Sequence, residues 1–166
     1  MARTVPPLGD EKESLLAALE RHRDAIVWKL DGLTDDQLRT SLLPSGLTPL
    51  GLVKHLGGVE YGWFCATFGR EHEPLPFDEH DENADLTVAP GETTTEVLAF
   101  WERARARANE AVGDVDLGDT GTSWFGAEVS MRWVMIHMLE ELARHAGHMD
   151  VMRELIDGTT GDHDRA

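Results

Sequence analysis

The chain has 166 residues, of which 41% are hydrophobic, and this is enough for one domain with a buried core. Fifteen basic residues against 31 acidic ones give a formal net charge of −16, which argues against nucleic acid or an anionic membrane as partner. The first residues, MARTVPPLGDEKE, contain no apolar stretch of the kind that predicts a signal peptide, and no apolar run approaches the ~18 residues of a membrane span. The single cysteine, Cys65, excludes an internal disulfide and favours a reducing, cytoplasmic setting, and we interpret it as a small helix residue rather than a nucleophile.

The first predicted helix follows a proline-bearing tail, residues 1–9, and begins at Asp10. Its apolar positions recur at steps of three and four residues, which is the spacing of one helix face. His22 occupies such a step, and we interpret it as a packing residue of the core. Gly32 is expected to end the helix, and a connector with a short helical turn follows it.

The second predicted helix begins at Thr48 and Pro49, because threonine is a good N-cap and proline is tolerated in the first helical turn. It is expected to run to Gly69. Gly57 and Gly58 lie inside this helix and lower its helix propensity, and we interpret them as places where a neighbouring helix comes close.

The next segment, residues 70–92, is rich in carboxylates and prolines and is named the acidic loop here. It is predicted to lie at the surface, and loops of this length are often functional or mobile. A third helix is predicted over about Thr94–Val112, followed by a loop that could hold a short extended piece. The fourth helix is predicted from Ser130, an N-cap, to just before Gly158. No run of alternating polarity is long enough to indicate a sheet, so the predicted fold is all-α, a four-helix bundle.

The stretch HMLEELARHAGHMD in the fourth helix places polar side chains where a helix usually buries its core. With a step of ~100° per residue and His137 at zero, Glu141 falls at about 40° and His145 at about 80°. Both therefore lie within the apolar stripe, where an unpaired charge costs several kcal/mol. The stripe is centred near 90° and is about 100° wide, so Glu141 lies at its edge. Its apolar residues fall between about 60° and 120° and are Val134, Met152, Met138, Ile156, Met131 and Met149.

Two interpretations of this pair stay open. A divalent cation would satisfy both Glu141 and His145, since residues four apart on a helix can converge on one ion. Alternatively, the two side chains form a buried hydrogen bond without a metal. His55, at the edge of the apolar stripe of the second helix, would complete a set of two histidines and one glutamate that leaves a position open, as in catalytic metal sites. Glu60, on the same helix, could orient a ligand, act as a base or hydrogen-bond internally.

The remaining histidines give weaker signals. His137 and His148 flank the ligand face of the fourth helix, where either could orient a ligand, and His137 could replace one. His148 could also act as a mobile acid–base group at the rim of a pocket. Three histidines in acidic loops or in the tail are interpreted as solvated: His72, His80 and His163.

The chain resembles the DinB-like superfamily of metal-binding four-helix bundles in two sequence blocks, PSGLTPLGLVKHLGGVEYGWF and RWVMIHMLEELARHAGHMDVMRELIDG. The likeness runs from about Glu13 to Gly158 and is strongest to an actinobacterial branch of the superfamily. It implies a single DinB-like domain over residues 1–166, with a core at about 10–158. It also implies a divalent metal, zinc or else nickel, held by the second and fourth helices.

The resemblance also indicates which residues bind the metal. Many members of the superfamily use three histidines, whereas this chain has Glu141 four residues before His145. The N-terminal domain of mycothiol-dependent maleylpyruvate isomerase is similar in having a His, Glu, His set. By this likeness the metal ligands are His55, Glu141 and His145.

The function implied by the resemblance is that of a thiol-dependent S-transferase or isomerase. A bound metal would lower the pKa of a thiol such as mycothiol and present the thiolate to a small-molecule electrophile, with Glu60 or His148 handling protons. The alternatives are a non-catalytic metal- or ligand-binding protein of stress or detoxification, and a metal-dependent hydrolase. The superfamily also implies a possible homodimer, for which the tryptophans and methionines offer interface residues.

Overall fold

The computed structural model describes residues 4–161 and 163, so the extreme ends of the predicted tail and of the predicted domain lie outside the described residues. Within the described part the fold is all-α with one small hairpin, and none of its helices is long and apolar enough to cross a membrane. The elements are α1 (Glu11–Leu30), α2 (Asp35–Arg39), α3 (Pro49–Glu60), α4 (Thr94–Asp114), β1 (Thr120–Thr122), β2 (Glu128–Ser130) and α5 (Met131–Asp157).

The four long helices α1, α3, α4 and α5 confirm the predicted helices, and local capping explains where two of them begin. Asp10 caps α1 through a side-chain oxygen that accepts the N–H of Glu13 at 2.8 Å. Ser130 caps α5 in the same way and accepts the N–H of Trp133 at 3.2 Å. After α5, Gly158 takes a left-handed conformation with φ 78°, which a residue with a side chain rarely adopts.

The second predicted helix needs a correction, because its α-helical part ends at Glu60 rather than near Gly69. A π-helical turn over Tyr61–Cys65 and a 3-10 turn over Ala66–Phe68 complete the segment before Gly69 reverses the chain at φ 64°. A π turn contains more residues per turn than an α-helix, so it changes which side chains face inward. Four of the five side chains in this turn are buried, namely Tyr61, Trp63, Phe64 and Cys65.

The absence of any sheet was also predicted wrongly, although the short extended piece in the loop after α4 is confirmed. Strands β1 and β2 pair antiparallel with Gly121 opposite Val129, and Gly126 in the connecting turn has φ 82°. Three-residue strands are too short for alternating polarity to reveal them. Gly121 is required by packing, because a Cβ there would lie 2.2 Å from the carbonyl oxygen of Thr67.

Packing divides the chain into two compact units, and the prediction of a single domain stays a prediction. The first unit contains the described residues of Met1–Pro49 and Met135–Ala166. In it, α1 contacts the C-terminal part of α5: the ammonium of Lys29 lies 2.9 Å from the carboxylate of Asp150, and Arg153 donates to the carbonyl of Lys29 at 2.7 Å. Helix α1 also buries an ion pair, with Arg23 donating to Glu20 at 2.6 Å.

The second unit, Leu50–Val134, contains most of α3, the acidic loop, α4 and the hairpin. The two glycines of α3 are contact points, as predicted, but with different partners. A Cβ on Gly57 would lie 2.5 Å from the ring of Phe100 on α4, whereas a Cβ on Gly58 would lie 2.9 Å from Pro76 in the acidic loop. The acidic loop therefore packs against α3 instead of projecting freely into solvent.

Candidate metal centre

Glu141 and His145 face each other one turn apart on α5, with 3.2 Å between Oε2 of the glutamate and Nε2 of the histidine. Their side chains are only 21% and 12% exposed. The apolar stripe predicted for this helix is buried except for the half-buried Ile156, and its buried members are Met131, Val134, Met138, Met149 and Met152. The helical period thus brings a carboxylate and an imidazole to the edge of a core made mostly of methionine.

The distance between Glu141 and His145 agrees with both interpretations of the pair. Two ligand atoms bound to one tetrahedral zinc ion at the usual 2.0–2.2 Å lie about 3.3–3.6 Å apart. A hydrogen bond between a ring nitrogen and a carboxylate oxygen has a length of about 2.7–3.2 Å. The observed 3.2 Å is at the upper end of the hydrogen-bond range and about 0.1 Å below the range for two ligands of one zinc ion.

His148 extends this arrangement by one further turn of α5. Its Nδ1 lies 3.4 Å from Nδ1 of His145, and the two ring centroids are 5.5 Å apart. The ring of His145 therefore directs Nε2 towards Glu141 and Nδ1 towards His148. Because His148 is exposed, it also has access to solvent, whereas His137 on the same helix is half-buried.

His55 projects from α3 and has a carboxylate partner that the sequence analysis missed. Its Nδ1 lies 2.5 Å from Oδ2 of Asp85, a residue of the acidic loop that is only 7% exposed. With Nδ1 engaged by a carboxylate, Nε2 is the nitrogen through which His55 would bind a metal. The carboxylate–histidine arrangement is the usual support of a metal-binding imidazole.

The residue before His55 also holds the acidic loop. The ammonium of Lys54 donates to the carbonyl oxygen of Thr87 at 2.8 Å and to Oε2 of Glu92 at 2.9 Å. Two adjacent side chains of α3 therefore bind the acidic loop at Asp85 and Thr87. The acidic loop is therefore held against α3 beside His55.

Glu60 and Cys65 are both buried, at 0% and 1% exposure. Burial raises the pKa of the Cys65 thiol and outweighs the nearby charges of Arg107 and Arg70, which lower it, so burial disfavours the reactive thiolate form. This agrees with its interpretation as a small residue rather than a nucleophile. The burial of Glu60 favours internal hydrogen bonding over proton exchange with a substrate, because a general base must come within hydrogen-bond reach of the reacting group.

Four other described histidines are outside the candidate ligand group of the structure. His72 and His80 are exposed as predicted, and Nδ1 of His72 donates to the carbonyl oxygen of Glu73 at 2.8 Å. His163 is half-buried, so its ring keeps part of its contact with solvent. His22 is half-buried on α1 and lines a groove of about 510 Å³ between α1 and α5, together with Lys29.

The long helices and the histidine–carboxylate clusters define a helical protein with a candidate metal centre. The mycothiol-S-transferase family matches residues 14–158, and the chain belongs to this family, which is part of the DinB-like superfamily. No protein in the curated set matches the chain. The resemblance found in the sequence is thereby confirmed.

The comparison with solved structures supports the fold. A crystal structure of a conserved protein from Enterococcus faecalis is similar with a TM-score of 0.66 over 91% of this chain and 99% of that chain. The two sequences are only 14% identical, so this likeness is evidence for the fold and not for an activity. The all-α DinB-like prediction is confirmed by this match and by the observed helices.

The predicted ligand set draws on both compact units. His55 belongs to Leu50–Val134, and Glu141 and His145 belong to the other unit. Within one unit, Nδ1 of His55 contacts Asp85. Within the other unit, Glu141 and His145 face each other. That the three residues share one ion stays a prediction.

Proposed function

We propose that this protein is a metal-dependent S-transferase that activates mycothiol, or a closely related small thiol, for attack on a small electrophile. The mycothiol-S-transferase family supports the thiol and the reaction class. The observation that carries the metal-dependent part is the pair of Glu141 and His145, which face each other at 3.2 Å on a mostly buried helix face. A homodimer and a cytoplasmic location, both expected from the sequence, stay predictions.

The donor set fits a zinc ion, with nickel as the second choice. His55, Glu141 and His145 offer two imidazole nitrogens and one carboxylate oxygen, which is a common ligand set of catalytic zinc. Both histidines also have support for Nδ1, from Asp85 and His148 respectively, so each would use Nε2 as the ligand. Supporting partners of this kind fix the tautomer and orientation of a metal-binding imidazole.

In the proposed reaction, His55, Glu141 and His145 would hold the metal. The bound ion would lower the pKa of the thiol, so that its sulfur could react as a thiolate at neutral pH. His148, which is exposed and contacts His145, takes the thiol proton and returns it to solvent. The sulfur then forms a C–S bond with the electrophile, whose leaving group departs with its bonding electrons. Glu60 is buried and serves in this proposal as a supporting group without substrate contact.

A non-catalytic binding protein is the second candidate function, because 3.2 Å is also a hydrogen-bond distance between Glu141 and His145. In that case the pair is a neutral or ionic hydrogen bond at the edge of the core. A metal-dependent hydrolase would use the same three ligands with water in place of the thiol. Family membership favours the thiol over water as the nucleophile.

The proposal is tested by measuring the metal content of tag-free protein by mass spectrometry. We expect about one equivalent of zinc or nickel in the wild type and its loss in His145→Ala, whereas the control His72→Ala, at an exposed histidine, keeps the metal. The loaded wild type is then assayed for consumption of an alkylating electrophile with and without mycothiol. Absence of metal after reconstitution contradicts the metal-dependent reaction, and metal without thiol-dependent turnover favours the non-catalytic candidate.

A further inference from the structure

The acidic loop buries one carboxylate while leaving most of its others in solvent. Asp85 is 7% exposed, whereas the side chain of Glu79 in the same loop is 86% exposed. Burying a carboxylate is costly unless a hydrogen-bond donor compensates for the lost water. The compensating contact for Asp85 is the 2.5 Å approach of His55 Nδ1.

The chain on both sides of Asp85 is fixed by hydrogen bonds. Just before it, the carbonyl of Asn83 accepts the N–H of Leu86 at 3.0 Å and closes a tight turn around Asp85. Just after it, the carbonyl of Thr87 accepts the ammonium of Lys54 at 2.8 Å. The carboxylate is therefore presented to His55 from a turn that is anchored on the same helix.

This geometry constrains the proton of the His55 ring. A carboxylate is an acceptor only, so the ring nitrogen that faces Asp85 must carry the hydrogen. In a neutral imidazole the other nitrogen, Nε2, then holds the lone pair that a metal ion binds. The negative charge of Asp85 also makes Nε2 a better donor to a cation.

We propose that Asp85 is a positioning residue for His55: it fixes the ring with the proton on Nδ1 and prepares Nε2 as a metal ligand. Lys54 contributes indirectly, by anchoring the loop that carries Asp85. The inference deepens the proposed function and depends on it for the metal, but the state of the ring is a property of the metal-free protein. The acidic loop thus positions the ring of His55.

The first experiment reads the ring of His55 in the metal-free full chain. Long-range proton–nitrogen NMR spectra at alkaline pH distinguish the two neutral tautomers, and His55→Gln identifies the signal. We expect the Nδ1–H form in the wild type and a shift towards the Nε2–H form in Asp85→Ala. The matched control is Glu82→Ala, an exposed acid three residues earlier, which leaves the tautomer unchanged.

The second experiment measures zinc affinity by competition with a chelator. We expect Asp85→Ala to weaken zinc binding by about 10- to 100-fold, the usual effect of removing the partner of a metal-binding histidine. Asp85→Asn keeps the shape and one acceptor oxygen, so it should weaken binding less and serves if the alanine variant does not fold. Lys54→Met should weaken binding in the same direction, with little further loss when combined with Asp85→Ala, because both act through one contact.

The outcomes separate this inference from the proposed function. A wild-type ring in the Nε2–H form, or equal zinc affinities for wild type and Asp85→Ala, overturns the role of Asp85 and leaves the metal centre standing. A wild type that holds the Nδ1–H form through Asp85 but binds no zinc supports the positioning role. The same result overturns the metal-dependent reaction.

Discussion

Glu141 Oε2 and His145 Nε2 lie 3.2 Å apart across one turn of α5, on a side of the helix where the neighbouring side chains are buried and apolar. Two polar groups in such a place need a compensating interaction. A shared cation and a direct hydrogen bond both provide one, but they respond differently when the carboxylate becomes an amide. That difference makes the pair open to a direct test.

Replacing Glu141 by glutamine keeps the shape of the side chain and removes its charge. If the pair binds a metal, Glu141→Gln should lose most of the bound zinc. It should also lose the stabilisation given by that zinc, which is about 2.7 kcal/mol when free zinc is 100-fold above its dissociation constant. Thermal unfolding with and without a chelator measures this directly. The chelator should lower the melting temperature of the wild type and leave that of Glu141→Gln unchanged.

Glu140→Gln is the matched control, since this neighbouring glutamate is exposed. It should bind zinc and respond to the chelator as the wild type does. A wild type that is insensitive to the chelator, with the melting temperature of Glu141→Gln close to it, would instead indicate a hydrogen-bonded pair without a metal.

The helical period explains why the sequence predicted Glu141 and His145. In a regular helix each residue advances by ~100°, so the face of any side chain follows from its position alone. Asp85 had no such signal, because the acidic loop contains eight acidic residues without periodicity, and only the folded turn shows which one points inward. The π turn after α3 was missed for a related reason, since one extra residue in a turn changes no residue type.

Helix α1 shows a further limit of prediction from pattern. Arg23 is fully buried and pairs with Glu20, although a charged residue normally indicates an exposed face. A buried ion pair becomes destabilising when one partner is removed, because the other charge loses a compensating group. Glu20→Ala should therefore lower the free energy of unfolding by about 3–5 kcal/mol, measured by urea denaturation.

The exposed pair of Arg107 and Glu110 on α4 provides the control, since it has the same three-residue spacing and a similar distance of 2.8 Å. Both side chains are in water, so Glu110→Ala should cost about 0.5 kcal/mol or less. If Glu20→Ala and Glu110→Ala lower the free energy of unfolding equally, the burial of Arg23 and Glu20 does not add to the cost of breaking their ion pair.

A substitution at Gly57 tests the close approach of α3 and α4 within the second unit. A Cβ at this position would lie 2.5 Å from the ring of Phe100, so Gly57→Ala forces the ring or a helix to move. We expect a loss of about 1–3 kcal/mol in the free energy of unfolding, as is typical of overpacking. Gly147→Ala, in α5 with open space at its Cβ, should instead stabilise by about 0.5–1 kcal/mol through helix propensity.

A second substitution separates steric overlap from a change in helix propensity at Gly57. Phe100→Leu removes the ring atoms that the new methyl group meets, so it should recover part of the loss when combined with Gly57→Ala. Additive effects of the two substitutions would rule out the ring as the cause.

Tyr61, the single tyrosine of the chain, reports on the packing of the π turn. Burial raises its pKa from 10.0 to about 12, and the hydroxyl group also donates a hydrogen bond to Glu73 at 3.0 Å. The phenolate absorbance of the native protein should therefore rise with a midpoint near pH 12. Glu73→Gln removes the neighbouring negative charge and should lower that midpoint, whereas Glu71→Gln, at an exposed acid nearby, should leave it unchanged.

The same shift of the Tyr61 pKa predicts how stability depends on pH. The folded chain holds the phenolic proton of Tyr61 more tightly than the unfolded chain, and this difference stabilises the fold. The stabilisation is complete below pH 10 and is lost as the pH rises towards about 12. We expect a loss on the order of 1–3 kcal/mol over this range from Tyr61 alone. Tyr61→Phe has no proton to release, so its free energy of unfolding, measured with urea in the same buffers, should fall less steeply than that of the wild type. Parallel curves for the two proteins would mean that Tyr61 titrates alike in the folded and unfolded chains.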